Sequence, residues 1–180
     1  QDIFPLNAKN IGMLKEKSPI FVIFRTLQRE AYKLADRIIT ISHDMKQTLI
    51  NEKIDKKKID VVYNWSYSDD VIDISEEENE FVKENKIECD FYKVVYAGNI
   101  GAVQNVEIIL KAAELLRREK RIRFYIIGDG LQKADHIKYV EEMGLDNVIF
   151  YPMQAPELAK HVYCMADVNV IPLKKGIIKT

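Results

Sequence analysis

From residue 91 onward, short apolar runs alternate regularly with amphipathic stretches. "YKVVYAG", "IRFYIIG", "NVIFYP" and "DVNVIPL" are rich in β-branched and aromatic residues and have strand length. Between them, residues 104–120, 131–143 and 155–166 carry helical periodicity, and Gly144 supplies a left-handed stop for the second helix. In the first of these helices Val106, Ile109, Leu110, Ala113 and Leu116 fall on one stripe. Glu107–Lys111 and Glu114–Arg118 are i,i+4 pairs on its wet side. Strand–helix alternation with apolar strands predicts an α/β fold, a parallel sheet covered on both faces. Right-handed crossovers make it Rossmann-like, and four strands are only part of such a domain.

The first third has the same alphabet in shorter pieces. Ser18-Pro19 predicts a helix start, with the helix running to about Ala35. "RIITIS" (37–42) reads as a buried strand, "HDMKQTLI" as a short helix and residues 58–64 as a second strand. Asp36 and Asp44 flank the first strand and are read as caps. Residues 65–90 then turn polar and acidic. Ser75 and Glu78 match a capping box, which predicts a short helix near 76–86. The organisation expected is therefore residues 1–64 as one piece, 65–90 as a linker and 91–180 as the parallel-sheet piece.

Composition narrows the chemistry. The chain is 47% hydrophobic and 31% charged, with a formal net charge of −1, so nothing in the overall charge points to nucleic acid. Cys89 and Cys164 lack metal-ligand spacing, and His43, His136 and His161 share no common interval, so no metal site is expected. No apolar run approaches the ~18 residues of a transmembrane helix. Arg25, Arg29 and Lys33 form a basic row on an otherwise apolar helix. Such a helix either lies on an anionic membrane or packs on its own domain with a solvated basic face. Lys53 and Lys56–Lys58 read as solvated turn lysines, Tyr139 and Tyr163 as packing or surface residues. The chain begins at Gln1 and stops just after a strand, which suggests a piece of a longer protein.

The candidate chemistry lies in two glycine loops. "VVYAGNIGAVQN" carries Gly98, Asn99, Gly101 and Gln104 between a strand and a helix. "IIGDGLQ" repeats the arrangement with Gly128, Asp129 and Gly130. Ligands of open parallel sheets bind beyond the carboxyl ends of the strands. There, glycines permit close backbone approach and helix N-termini favour phosphate. Two such loops side by side suit a diphosphate or a nucleotide sugar. The first loop lacks the Lys-Ser/Thr of a Walker A motif and is not a full G-x-G-x-x-G, and a simple tight turn would produce the same letters. Asp129 lies too far from the first glycines for the ribose contact of an NAD site.

"YAGNIGAVQNVEIILKAAELL", "FYIIGDG", "NVIFYP" and "ADVNVIPLKKG", in that order, resemble bacterial glycosyltransferases of the GT-B fold, in the large retaining family 4. The likeness is to sugar transferases of capsule, O-antigen and colanic-acid assembly, including a fucosaminyltransferase-like branch. "ADRIITISHDMKQTLI" and "VVYNW" look like the last elements of that family's N-terminal domain. The resemblance covers essentially the whole chain and implies a GT-B fragment truncated at both ends. It implies an acceptor-side domain ending near 64 and the first half of a C-terminal donor-binding domain from 91. The implied donor is a nucleotide sugar, a UDP-sugar in most of the family, used without a metal. The implied acceptor is lipid-linked or a glycan. Cys89 and Cys164 read as reduced thiols, so a cytoplasmic protein is expected, with peripheral contact at the inner face of the membrane as the alternative to packing for the basic helix. Carried over by position, Gly98, Asn99, Gly101 and Gln104 would sit by the donor phosphates or sugar. Gly128, Asp129 and Gly130 would line the same cleft, and Tyr151, Pro152, Met153 and Gln154 would lie near the base. Asp2 would face the reacting centre as a polar residue.

Two departures stand out. The Arg and Lys with which many members clamp the diphosphate are absent from "GNIGAVQN". The family's pair of spaced glutamates would fall after Thr180. The 180 residues alone are therefore expected to have little transferase activity and, with an open sheet edge, to self-associate. A non-catalytic nucleotide-sugar-binding module and a GT-B-like epimerase are the alternative readings.

Overall fold

The computed structural model describes residues 3–10, 12, 14–65 and 73–174. Asp2 lies outside the described residues. The elements, in chain order, are α1 (Leu6–Asn10), α2 (Pro19–Leu34), β1 (Ile38–Thr40), α3 (His43–Asn51), β2 (Ile59–Val61) and α4 (Glu80–Asn85). They continue with β3 (Tyr92–Ala97), α5 (Glu107–Leu115), β4 (Ile122–Ile127), α6 (Lys133–Met143), β5 (Val148–Tyr151), α7 (Ala159–Cys164) and β6 (Val168–Asn169). The chain divides into two compact units, Gln1–Asp69 with Lys174–Thr180, and Asp70–Leu173.

In the first unit β1 and β2 pair in parallel, Ile38 opposite Ile59 and Thr40 opposite Val61. Ile3, Leu49 and Ile59 form a small core, with Tyr32, Ile38 and Met45 packed around it. Ser18 caps α2, its hydroxyl accepting the Phe21 N–H at 3.1 Å. Ser42 caps α3 in the same way through Met45, while Asp44 sits inside the first turn instead of capping it. The packed face of α2 is mixed: Phe21 is buried, Arg25 pairs with Glu52, and Gln28 bonds to the Tyr32 hydroxyl. Ile20, Ile23, Leu27 and Leu34 fall on another side of the helix and are exposed. No helix among the described residues is long and apolar enough to cross a membrane.

The second unit is a four-stranded, all-parallel sheet in the order β5-β4-β3-β6. Alternation along the strands sends side chains to two cores. Phe124 and Ile126 of β4 join Tyr96, Ile109, Leu110 and Ala113 on the α5 side. Tyr125 and Ile127 join Val95, Phe81, Val82, Val162 and Met165 on the α4 and α7 side. Burial and its neighbours push the Tyr125 phenol up to about 12. α5 is shorter than the sequence pattern suggests. Asn105 turns to φ 51° ahead of it, and Leu116 follows it at φ −95°, ψ 11°. Glu114 is engaged by the Tyr139 hydroxyl at 2.8 Å, a partner from α6 that sequence spacing could not show. Gly144 closes α6 in the left-handed region, at φ 59° and ψ 44°.

The described part of the polar stretch before β3, residues 73–90, holds turns and one helix. Its helix, α4, is capped by Asn79, whose side-chain oxygen accepts the Val82 N–H at 3.1 Å. Ser75 and Glu78 make a backbone turn (Glu78 N–H to Ser75 carbonyl, 3.0 Å), so the capping box is not the helix start. Asn79 wins because its amide also donates to the His161 carbonyl of α7 at 2.7 Å. The Glu80 N–H in turn donates to Nδ1 of His161 at 3.1 Å, which leaves the ring proton on Nε2. Lys93, only 2% exposed, points from β3 toward the same stretch. Its ammonium pairs with Glu76 and donates to the carbonyls of Cys89 and Phe91 at 3.3 and 3.2 Å.

Candidate functional site

The two glycine loops leave adjacent strands and dock on each other through backbone. The Gly98 N–H continues the β3–β4 ladder to the Ile127 carbonyl at 2.9 Å. The Ile100 N–H donates to the Asp129 carbonyl at 2.7 Å, and the Gln132 N–H donates to the Ile100 carbonyl at 3.0 Å. A Cβ on Gly128 would stand 1.9 Å from the Gly98 carbonyl oxygen, and one on Gly130 would stand 2.5 Å from that of Ile100. These two glycines are therefore required by loop–loop contact before any ligand is considered. The Asp129 carboxylate turns back onto its own loop and accepts the Gly130 N–H at 2.8 Å. Beneath them the buried Tyr96 hydroxyl donates to the Asn99 carbonyl at 2.6 Å and fixes the first loop from inside.

Gly101 differs. A Cβ there would meet only the ends of the Asn99 and Gln104 side chains, both at 2.9 Å. Those side chains approach each other over it, at 3.4 Å. Asn99, Gly101 and Gln104 thus form one polar cluster on the first loop.

A pocket of about 100 Å³ opens at the carboxyl ends of β3 and β4. Gly98, Met153 and Gln154 line it together with Ala97, Ile127, Ala155, Ala159, Val162 and Tyr163. The structure thus brings three predicted site residues into one cavity. Asn99, Gly101, Gln104, Gly128, Asp129 and Gly130 belong to the adjoining loops and do not line it. The volume suits one ring-sized group, against the ~300–1,000 Å³ of complete ligand sites. The wall supplied by α7 escaped the sequence reading, in which Tyr163 is only a packing or surface residue. A readable signal existed in Ala155 and Ala159, small residues four apart that leave room above Gly98.

The helices that follow the glycine loops start without side-chain caps. Val106 before α5 and Gln132 before α6 accept no capping hydrogen bond, whereas Ser18, Ser42 and Asn79 cap α2, α3 and α4. Several of their first-turn N–H groups are nonetheless engaged by backbone: Ile108 and Ile109 donate to the Asn105 and Val106 carbonyls at 3.1 and 2.9 Å, and Lys133 to the Gly130 carbonyl at 3.1 Å. Glu107 and Asp135, in their first turns, already complement part of each dipole. Residues 98–110 contain no Lys or Arg. A cation does stand one loop away: Lys133, in the first turn of α6, donates to the carbonyls of Gly128 and Tyr151 at 2.7 and 3.3 Å. Among the described residues no cluster of three or more His, Cys, Asp or Glu could hold a metal ion.

A parallel α/β unit with paired glycine loops and a pocket at its carboxyl edge defines a class of nucleotide-handling folds. Residues 77–176 match the family described as Glycosyl transferases group 1, and the chain belongs to that family. Residues 12–65 match Glycosyltransferase Family 4. The chain is 34% identical over 131 residues to WbjE of Pseudomonas aeruginosa, which bears the name "Probable glycosyltransferase", covering 72% of this chain and 32% of that protein. It is 28% identical over 150 residues to WcaI of Escherichia coli (strain K12), provisionally named a colanic acid biosynthesis glycosyl transferase, covering 83% and 37%. The chain thus spans about a third of the length of these curated relatives. In fold it is similar to WaaG, a glycosyltransferase involved in lipopolysaccharide biosynthesis (TM-score 0.71, 12% identity, 91% of this chain and 46% of that one). It is similar also to Anabaena HepE in complex with UDP and glucose (TM-score 0.66, 16% identity, 81% and 40%). These neighbours are GT-B glycosyltransferases, and the α/β fold with parallel sheets is theirs.

Proposed function

We propose that this chain is part of a glycosyltransferase that moves a sugar from a nucleotide-sugar donor to a lipid-linked or glycan acceptor in surface polysaccharide synthesis. The second unit is the donor side and the first the acceptor side. The observation that carries this reading is the pocket in which Gly98, Met153 and Gln154 meet under the α7 wall. It is apolar and ring-sized, as a base needs, and Gly98 in its lining opens the loop that leads to the start of α5, where the diphosphate would lie. In the transfer the bond from the sugar's anomeric carbon to the diphosphate breaks and a bond to the acceptor oxygen forms. The acceptor hydroxyl gives its proton to the departing diphosphate oxygen, which leaves with the bonding electrons. Asn99 and Gln104 stabilise that developing charge, since the N–H groups of Gly98, Ile100, Gly128 and Gly130 already donate within the unit, and no metal is required in this scheme. Asp2 is the polar residue assigned to the reacting centre. UDP is the nucleotide we assign, on the strength of the HepE complex. The narrower fucosaminyltransferase-like branch rests on the sequence resemblance and is tested by a panel of UDP-sugars.

Calorimetric titration of the 180-residue chain with uridine, UDP and UDP-sugars tests the reading. UDP and uridine should bind, and Ala159→Leu, which fills the pocket from α7, should weaken both by at least about tenfold. No turnover of a UDP-sugar is expected from these residues, which span about a third of the relatives' length. Absence of UDP binding, or binding unchanged by Ala159→Leu, would remove the pocket from the donor site.

A further inference from the structure

Lys133 occupies a position that helix energetics do not favour. A cation in the first turn of a helix opposes the macrodipole, at a cost of a few tenths of a kcal/mol. Among the described residues no carboxylate lies within ion-pairing distance of it. Its ammonium instead donates to two carbonyls, Gly128 at 2.7 Å and Tyr151 at 3.3 Å. The Tyr151 carbonyl also accepts the Gly128 N–H at 3.2 Å, which extends the β4–β5 ladder by one bond. Lys133 therefore closes the carboxyl edge of the sheet where β4 and β5 end. On one side Gly128 rests against the Gly98 backbone, part of the pocket. On the other, one residue after Tyr151-Pro152, the chain becomes the Met153–Gln154 wall. That wall has little else to hold it: Gln154 bonds back to its own Pro152 carbonyl at 2.8 Å, and Met153 is exposed.

We infer that Lys133 is a positioning residue of the donor pocket, setting the spacing between the glycine loops and the Met153–Gln154 wall without touching the ligand. The inference rests on the donor reading of the pocket. Charge-assisted bonds to two carbonyls are stronger than neutral ones, and arginine can make both while methionine can make neither.

The test uses the 180-residue chain with Lys133→Met and Lys133→Arg. Uridine and UDP are titrated by calorimetry well below each variant's melting temperature, which is measured separately. Lys133→Met should weaken uridine and UDP by the same factor, about tenfold, and Lys133→Arg should restore most of it. Equal weakening with arginine rescue is the signature of positioning. A lowered melting temperature with unchanged affinities makes Lys133 a stability residue and overturns the inference. Weakening of UDP alone means a direct phosphate contact and overturns it too. If the wild type binds neither ligand, the donor reading itself falls and takes this inference with it. Wild-type binding of both with an unaltered Lys133→Met sinks only the inference.

Discussion

Gly128 and Gly101 carry the same letter in neighbouring loops and face different obstacles. A methyl on Gly128 meets a backbone oxygen at 1.9 Å, which no rotamer can relieve. Gly128→Ala should destabilise the second unit by about 3 kcal/mol or more in urea unfolding, because the two loops must part. Gly101→Ala meets only side-chain ends that can swing away. It should cost less than about 1 kcal/mol in the same assay, and its effect should fall on donor affinity. The sequence shows that both positions are glycine; it does not show whether the close neighbour is a ligand or another loop. For Gly128 and Gly130 the neighbour is a loop, and that could be read only from coordinates. Lys93 gives a second case. Within an apolar strand its letter looks like a solvent-facing residue, yet it is buried against Glu76. Hydrogen bonds from the Cys89 thiol, then from Lys93, hold the Glu76 carboxyl below its ordinary value. A carboxylate whose pKa falls on folding contributes stability above the unfolded-state value, here 4.5, and loses it as pH drops through the lowered folded value. Unfolding by urea between about pH 3 and 6 should show a steeper acid loss for wild type than for Glu76→Gln. The difference should be modest, since Glu76 is 40% exposed and screened by solvent.

Among the elements, α2 departs most from the simple pattern. Its apolar and basic residues are legible in the sequence, and so is its Ser18-Pro19 start. What the periodicity left open is which face packs. The structure packs Phe21, Arg25, Gln28 and Tyr32, held by the Arg25–Glu52 pair, and leaves Ile20, Ile23, Leu27 and Leu34 exposed. Arg29 and Lys33 line a separate depression with Lys53, on the other flank of the packed face. On a helical wheel the basic row lies roughly 150° from the centre of the exposed apolar row. Of the two readings its sequence leaves open, contact with a lipid surface would have to be made by the apolar row, with little help from cations. In vesicle sedimentation, any binding should be similar for neutral and anionic lipid and should be lost in Leu27→Glu. A strict requirement for anionic lipid would contradict this geometry. The parallel strands and the glycine loops were easier to read, because a buried parallel strand is apolar on both faces and its period cannot be mistaken for a surface. The short α5 and β6 were not. Their ends are set by Asn105 in the left-handed region and by pairing of β6 over only two residues of β3.

At the level of the whole molecule, the family and its fold were legible from the order and spacing of several motifs, none of which is decisive alone. The α7 wall of the pocket was less so, since its contribution depends on which side of the sheet the helix covers. The acidic stretch before β3 carried the most misleading composition. Its charged letters conceal Phe81 and Val82, fully or nearly buried against Val95, Tyr125 and Val162. Through Asn79 and His161 that stretch is fastened to α7, the helix that walls the pocket. For anyone exchanging donor halves between relatives, this fixes the crossover. A graft that starts at the first strand would leave the helix of one parent facing the sheet of another. The natural seam is the break between the units at Asp69 and Asp70, so that α4 travels with the sheet it covers.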